Sequence, residues 1–153
     1  MKVFISALLI TVMLSSLNGQ SAIFLHHSTG EGVYVEGGVA GWISNYNSAN
    51  GTSYSVTERS YPDTPYPWEN YPYDYWNLWI NNQCNSTNPN IQCLNNILQS
   101  YDVVIYKHCF PGAGIAADNG TPSVSSPIKT IANYKLQYRS EEHTSELQSR
   151  QSI

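Results

Sequence analysis

Ser28 stands where a serine can become a nucleophile. It follows the apolar run of residues 22–26, which predicts a buried strand, and precedes the small residues Thr29 and Gly30. A serine on a tight strand-to-helix turn is held out at the sheet edge, where the helix N-terminus and nearby N–H groups can stabilise an oxyanion. The pattern therefore predicts acyl transfer, with Gly30 giving a substrate carbonyl room to approach. Capping the helix is an alternative and compatible role for Ser28.

Lys107, His108 and Cys109 form a second candidate group, directly after the apolar residues 103–106. Ligands of open parallel sheets bind beyond the carboxyl ends of the strands, which places this loop at the same edge as Ser28. Lys107 or His108 can donate to an oxyanion there, and closing the loop is the alternative role. Nothing in the sequence marks the Cys109 thiol as activated.

His26 and His27 are adjacent in the sequence, but this arrangement does not favour a joint role as metal ligands. We expect His26 to be a buried, hydrogen-bonded side chain, and His27 either to line the site or to pack. Neighbouring strand residues point to opposite faces of a sheet, so the pair is a poor metal site. We expect no metal and no organic cofactor.

Three cysteines remain to be placed. Cys84 and Cys93 flank a polar loop and are the pair that we expect to form a disulfide, with Cys109 free. Three unpaired thiols are the alternative. No Cys-x-x-Cys or spaced histidine set accompanies them, which disfavours a zinc site.

The elements that must position these residues alternate along the chain. Strands are predicted at 22–26, 53–59 and 102–107. Helices are predicted at 39–50, ended by Asn50 and Gly51, at 91–98, and at 125–138, the last capped by Ser125 or Ser126. Residues 60–75 carry four prolines and predict a long ordered loop. The alternation predicts a parallel α/β sheet with right-handed crossovers, and the β-branched run of the third strand predicts burial on both faces.

Both ends of the chain differ from the middle. Residues 1–19 have a lysine, an apolar run of roughly a dozen residues and a small-residue exit, which predict a signal peptide and a secreted or periplasmic protein. Residues 139–149 resemble a translated sequencing adapter, so we interpret 139–153 as a non-native, disordered tail. We expect the native domain to occupy residues 20–138 and to be incomplete at its C-terminus.

The net charge of the chain limits the classes of binding partner that we expect. The net charge is −4 and no basic patch appears, so nucleic acid and anionic membranes are poor partners. The apolar run near the N-terminus is too short to cross a bilayer comfortably and no second one follows, so we expect no stable membrane span.

Residues 23–30, Ile-Phe-Leu-His-His-Ser-Thr-Gly, resemble the first strand and nucleophile turn of the SGNH/GDSL hydrolases. Ser28 matches the nucleophile, whereas His26 and His27 replace the family's Gly-Asp. The loop at 107–112 stands in place of the Gly-x-Asn-Asp block but holds no asparagine. The family's basic histidine lies in a C-terminal Asp-x-x-His block, and Asp118 has no histidine three residues on.

This resemblance implies a three-layer, flavodoxin-like sheet of the SGNH type. It implies an exported serine ester hydrolase acting on a small-molecule or carbohydrate ester, inactive in the present form because its base is absent. Ser28 would be catalytic, and His27, Gly30, Lys107 and His108 would contact the oxyanion or the substrate.

An aromatic loop predicts a different function. Flat rings with polar tips can stack on sugars, so a non-catalytic carbohydrate-binding protein is the alternative, and packing of the loop onto the domain competes with it. The rings belong to Tyr61, Tyr66, Trp68, Tyr71, Tyr73, Tyr75, Trp76 and Trp79.

Overall fold

The computed structural model describes residues 19–118 and 120–140. Most of the predicted signal peptide (1–19) and most of the adapter-like tail (139–153) lie outside these residues. Arg139 and Ser140, the first two residues of the tail, end a helix that begins at residue 131. No helix in the described ranges has both the length and the apolarity that a bilayer crossing requires.

Three parallel strands form the sheet, in the order β2-β1-β3. β1 (Ser21–His26) is central, between β2 (Ser55–Ser60) and β3 (Val103–Tyr106). The β-branched residues of β3 favour an extended chain, and its Val104 lies in register with Ile23 of β1. The structure thus confirms the α/β class that the alternation of segments predicts.

Short helical segments connect the strands. Between β1 and β2 lie α1 (Thr29–Glu31), a π-helical turn (Gly32–Glu36) and α2 (Val39–Asn50). Between β2 and β3 lie α3 (Pro72–Tyr75), a π-helical turn (Trp76–Ile80), a 3-10 turn (Pro89–Ile91) and α4 (Leu94–Leu98). A 3-10 turn (Phe110–Ala113) and α5 (residues 131–140) follow β3.

The core lies on one face of the sheet. Ile23 and Leu25 of β1 are fully buried there. The buried residues packed around them come from the β2–β3 connection and are Tyr61, Tyr75, Leu78, Trp79, Leu94 and Ile97. Aromatic residues supply much of this core, because each ring buries a large apolar area.

The other face of the sheet is less covered than predicted. Val103 and Ile105 of β3 are 38% and 45% exposed, so within the described residues β3 is not buried on both faces. The reason is the position of α2, which packs on β2 at the far side of the sheet. The sequence pattern predicts the strand correctly, but the prediction that both of its faces are buried is wrong for the described residues.

Helix α2 forms where the sequence predicts it and ends at Gly51, whose φ of 64° suits glycine. The spacing of Val39, Trp42, Ile43 and Tyr46 predicts that these residues share one face of the helix and that this face is buried, and this prediction is wrong in part. Trp42 and Tyr46 are 64% and 41% exposed, and their rings stack 5.5 Å apart. The half-buried residues of this helix are instead Ile43 and, one turn before and after it, Val39 and Asn47.

Helix α5 begins at residue 131, later than the predicted cap at Ser125 or Ser126. Thr130 caps it by accepting from the Asn133 N–H at 3.2 Å. The helix buries a polar side, because Gln137 Nε2 donates to the carbonyls of Val124 and Ser126. Those carbonyls belong to an irregular segment that is not part of a sheet. Polar side chains therefore supply the hydrogen bonds that its backbone needs.

Cys84 and Cys93 form a disulfide with their Cα atoms 4.9 Å apart, within the usual range. The bridge closes the polar loop before α4. Cys109 is a buried free thiol.

Candidate active site

Ser28 lies on the turn between β1 and α1, and its side chain is exposed. Its φ of 51° and ψ of −118° are unusual for a residue with a Cβ, and such a backbone costs about 1–3 kcal/mol. The hydroxyl makes no capping hydrogen bond to α1, so the alternative capping role is not realised. The turn therefore presents an exposed hydroxyl at the carboxyl edge of the sheet.

Two backbone donors lie at this turn. Within residues 19–118 and 120–140, no described hydrogen bond uses the N–H of Ser28 or of Thr29. The Gly30 N–H, in contrast, donates to the His27 carbonyl at 3.0 Å. Two adjacent N–H groups beside an exposed hydroxyl are the arrangement that an oxyanion requires.

Gly30 serves packing in this structure and does not face the open side of the turn. A Cβ at this position would lie 2.3 Å from His26 Cβ and 2.5 Å from His26 Cγ. Only glycine lets α1 pass this close to the end of β1. The expectation that Gly30 gives room to a substrate is not what its surroundings show.

His26 is almost fully buried and pairs with Glu58 of β2, with Nε2 2.5 Å from the carboxylate. Its Nδ1 is buried without a hydrogen-bond partner. The side chain is thus a buried, hydrogen-bonded one, as expected. The His26 side chain packs directly against Gly30 and thereby supports the turn.

His27 points the other way and is held by the loop after β2. Its Nε2 donates to the Pro62 carbonyl at 2.5 Å, and since a carbonyl only accepts, the proton is on Nε2. The ring stacks on Trp68 with centroids 3.5 Å apart. Of the two roles left open for His27, the structure shows packing.

The loop after β3 reaches this edge through Cys109. The Cys109 N–H donates to the Asn70 carbonyl at 2.8 Å, and Sγ lies 3.5 Å from the His27 carbonyl. Asn70 is fully buried, and its Nδ2 donates to the Tyr61 carbonyl. The loops after all three strands therefore meet at one edge, as the parallel order predicts.

Lys107 and His108 do not line the turn at Ser28. Lys107 Nζ donates to the His108 carbonyl at 3.2 Å. The His108 ring contacts Tyr75, Tyr106 and Tyr138 edge to face, with centroids 5.1 to 5.5 Å apart. Burial lowers the pKa of His108 to about 4, so the imidazole is neutral at pH 7.

A groove of about 630 Å³ opens beside Ser28. Its walls include Thr29, Val35 and two exposed carboxylates, Glu31 and Glu36. Sequence reasoning missed both glutamates, because isolated exposed charges resemble an ordinary solvated surface. The groove is acidic, which disfavours anionic substrates.

The aromatic loop divides into two groups of rings. Tyr61, Tyr75, Trp76 and Trp79 belong to the buried interior, where packing explains them. Trp68 covers His27. The remaining three tyrosines, Tyr66, Tyr71 and Tyr73, line a second groove.

The described residues contain no group of three or more His, Cys, Asp or Glu side chains arranged to hold a metal ion. Comparison of the chain with protein-family models, with curated proteins and with solved structures gave no match. The geometry of the Ser28 turn is therefore the basis for assigning a function.

Proposed function

We propose that this protein is an exported serine ester hydrolase of the SGNH/GDSL type, with Ser28 as its nucleophile. The observation that carries the proposal is the backbone of Ser28, a non-glycine residue at φ 51° that directly follows the central strand. In serine hydrolases of α/β fold, a sharp, strained strand-to-helix turn holds the nucleophilic hydroxyl out of the sheet.

The strain argument favours function over structure. A glycine would adopt this φ freely, yet the position holds serine at a cost of about 1–3 kcal/mol. No capping hydrogen bond of the side chain offsets that cost. What the turn provides is an exposed hydroxyl beside two unengaged N–H groups.

The position in the sheet supports the same proposal. The strand order β2-β1-β3 reverses direction between β1 and β3, and this reversal is the switch point where doubly wound sheets bind ligands. The order 2-1-3 is also how a flavodoxin-like sheet begins. Ser28 follows β1, and Cys109 follows β3 at the same edge.

In the proposed reaction, Ser28 Oγ attacks the ester carbonyl while a base takes its proton. The developing oxyanion accepts from the N–H groups of Ser28 and Thr29. The tetrahedral intermediate then collapses to an acyl-enzyme, its ester C–O bond breaking as the protonated base gives its proton to the leaving alcohol. Water, deprotonated by the same base, attacks the acyl-enzyme and releases the acid and free Ser28. The acidic groove favours a neutral ester, with acylated carbohydrate as the candidate substrate class.

The base is the part that the described residues do not provide. His26 and His27 use Nε2 for Glu58 and Pro62, and His108 is enclosed by tyrosines. The proposal therefore assigns the base to the histidine of an Asp-x-x-His block, which the SGNH/GDSL hydrolases carry C-terminal to the nucleophile and which does not occur among the described residues. Removing the base of a comparable triad costs about a millionfold in kcat, so the present chain should hydrolyse esters only at background rate.

The test measures hydrolysis of p-nitrophenyl acetate by a protein that joins residues 20–138 to a C-terminal segment with an Asp-x-x-His block, taken from the gene. Ser28→Ala should lower kcat at least a thousandfold, whereas Ser48→Ala, a control on the exposed side of α2, should leave it unchanged. Full activity in Ser28→Ala would refute the nucleophile assignment. So would a gene without a downstream histidine.

A further inference from the structure

A second groove of about 670 Å³ lies on the aromatic loop and shares no lining residue with the Ser28 groove. Tyr66, Tyr71 and Tyr73 form one wall, and the other is contributed by Gly114, Ala116, Pro127 and Lys129. Its volume falls within the range of small-molecule sites. Nothing in the proposed hydrolase mechanism uses it.

Aromatic surface forms part of this groove. The rings of Tyr71 and Tyr73 stack with centroids 5.9 Å apart and an interplanar angle of 28°. Tyr71 is anchored, because its hydroxyl donates to the Pro127 carbonyl at 3.1 Å. Tyr73 is partly exposed and lines the groove, so it can contact a ligand there.

Polar groups lie among the rings. Asn77 Nδ2 donates to the Tyr66 hydroxyl at 3.0 Å. Burial raises the pKa of Tyr66 and of Tyr71, so both phenols keep their protons. These side chains offer neutral donors and acceptors beside an apolar surface, which is how tyrosine contributes to carbohydrate recognition.

The charges of the groove nearly cancel. Glu69 at the rim forms an ion pair with Lys129, whose Nζ also lies 5.0 Å from the Tyr71 ring centroid. Asp74 is buried and accepts from three backbone N–H groups, those of residues 69, 70 and 71. Among the described residues that line the groove, the one cation is Lys129, which is paired, and the remaining negative charge would repel an anion.

From these observations we infer that the groove lined by Tyr66, Tyr71 and Tyr73 binds a neutral pyranose oligosaccharide. A sugar ring stacks on Tyr73, and its hydroxyls exchange hydrogen bonds with Asn77 and Glu69. The site works without Ser28, so it does not depend on the hydrolase proposal. The inference also reduces the set of rings in the aromatic-loop hypothesis, since Tyr75, Trp76 and Trp79 do not contact the sugar.

Isothermal titration of the full chain with cellohexaose, xylohexaose and chitohexaose tests the inference. At least one of these should bind with a Kd of about 1 mM or tighter, whereas hexagalacturonate should not bind. Tyr73→Ala should weaken binding about tenfold, the effect of losing one aromatic stack. Tyr46→Ala is the matched control, an exposed tyrosine on α2, and should leave the Kd unchanged.

Glu69→Gln is a second variant that tests the site if Tyr73→Ala fails to fold. The Glu69 side chain is half exposed at the rim, so its replacement should not disturb the fold. It should weaken binding about threefold with an unchanged melting temperature. Ser28→Ala should bind as the parent does. Failure of all three neutral probes, tighter binding of hexagalacturonate, or loss of binding in Ser28→Ala but not in Tyr73→Ala would each overturn the inference.

Discussion

The two faces of the sheet differ in what covers them. On one face, Ile23 and Leu25 are fully buried under rings and aliphatic side chains of the β2–β3 connection. On the other, Ile105 is 45% exposed, and the turn at Ser28 packs on buried His26, which pairs with the partly exposed Glu58. Stability is therefore concentrated on the first face, while the second meets the strained turn that we propose to be functional.

Removing one isoleucine from each face should have the largest effect and should show the asymmetry. Ile23→Ala leaves a cavity at a fully buried site and should cost about 2–5 kcal/mol of unfolding free energy. Ile105→Ala, the same change on a neighbouring strand, should cost about 1 kcal/mol, because nearly half of that side chain is already in water.

Urea denaturation of both variants measures this difference. Equal losses would contradict it and would show that Ile105 is covered by something outside the described residues. In that case the second face would be a second core, as the β-branched run of β3 predicts.

Acid should destabilise the packed face through His108. Burial lowers the pKa of this imidazole to about 4, against a usual value near 6.5. Between these values the unfolded chain binds a proton that the folded chain does not, so the unfolding free energy falls as the pH drops from about 6.5 to 4. The loss should reach about 3 kcal/mol, at roughly 1.4 kcal/mol per pKa unit.

Comparing His108→Phe with the parent isolates this contribution. The phenyl ring keeps the contacts with the surrounding tyrosines but has no proton to bind. Carboxylates titrate in both proteins, so their contribution cancels in the difference. Chemical denaturation at pH 7, 5.5 and 4.5 should show a steeper loss in the parent, and parallel curves would place His108 in solvent.

The sequence predicts the strands better than their surroundings. Short apolar runs at 22–26 and 103–106 identify β1 and β3, because runs of this length are typical of buried strands in a parallel sheet. The glycine at 51 marks the end of α2 for the same local reason, its left-handed φ. Local chemistry decides these features, so they can be read without the fold.

Features that depend on tertiary contacts escape the sequence. The 3.6-residue spacing of Trp42 and Tyr46 suggests a buried face, yet both rings stack on each other in solvent. The buried polar side of α5 follows from carbonyls at Val124 and Ser126 that only the fold brings close. Whether loop residues such as Lys107 face the site depends on the direction the chain takes after β3.

The candidate site shows the same division. The apolar run before Ser28 predicts a serine at the end of a strand, and the structure puts it there. The sequence does not reveal that the residue adopts a positive φ, since serine rarely does. Nor does it reveal that Cys109, rather than His108, approaches this turn.

The smallest effect that we predict bears directly on the strained turn of the second face. Ser28→Gly removes the Cβ that makes a φ of 51° costly, and should raise the unfolding free energy by about 1 kcal/mol after the greater chain entropy of glycine is subtracted. Ser48→Gly in α2 should instead lower it by about 0.5 kcal/mol, because glycine weakens helices. Ser28→Ala keeps the Cβ and should leave stability unchanged. Urea titrations of the three variants give opposite signs for the two glycine changes if the turn is strained. A loss of stability in Ser28→Gly would mean that the serine side chain supports the fold, and the strain argument for a nucleophile would then fail.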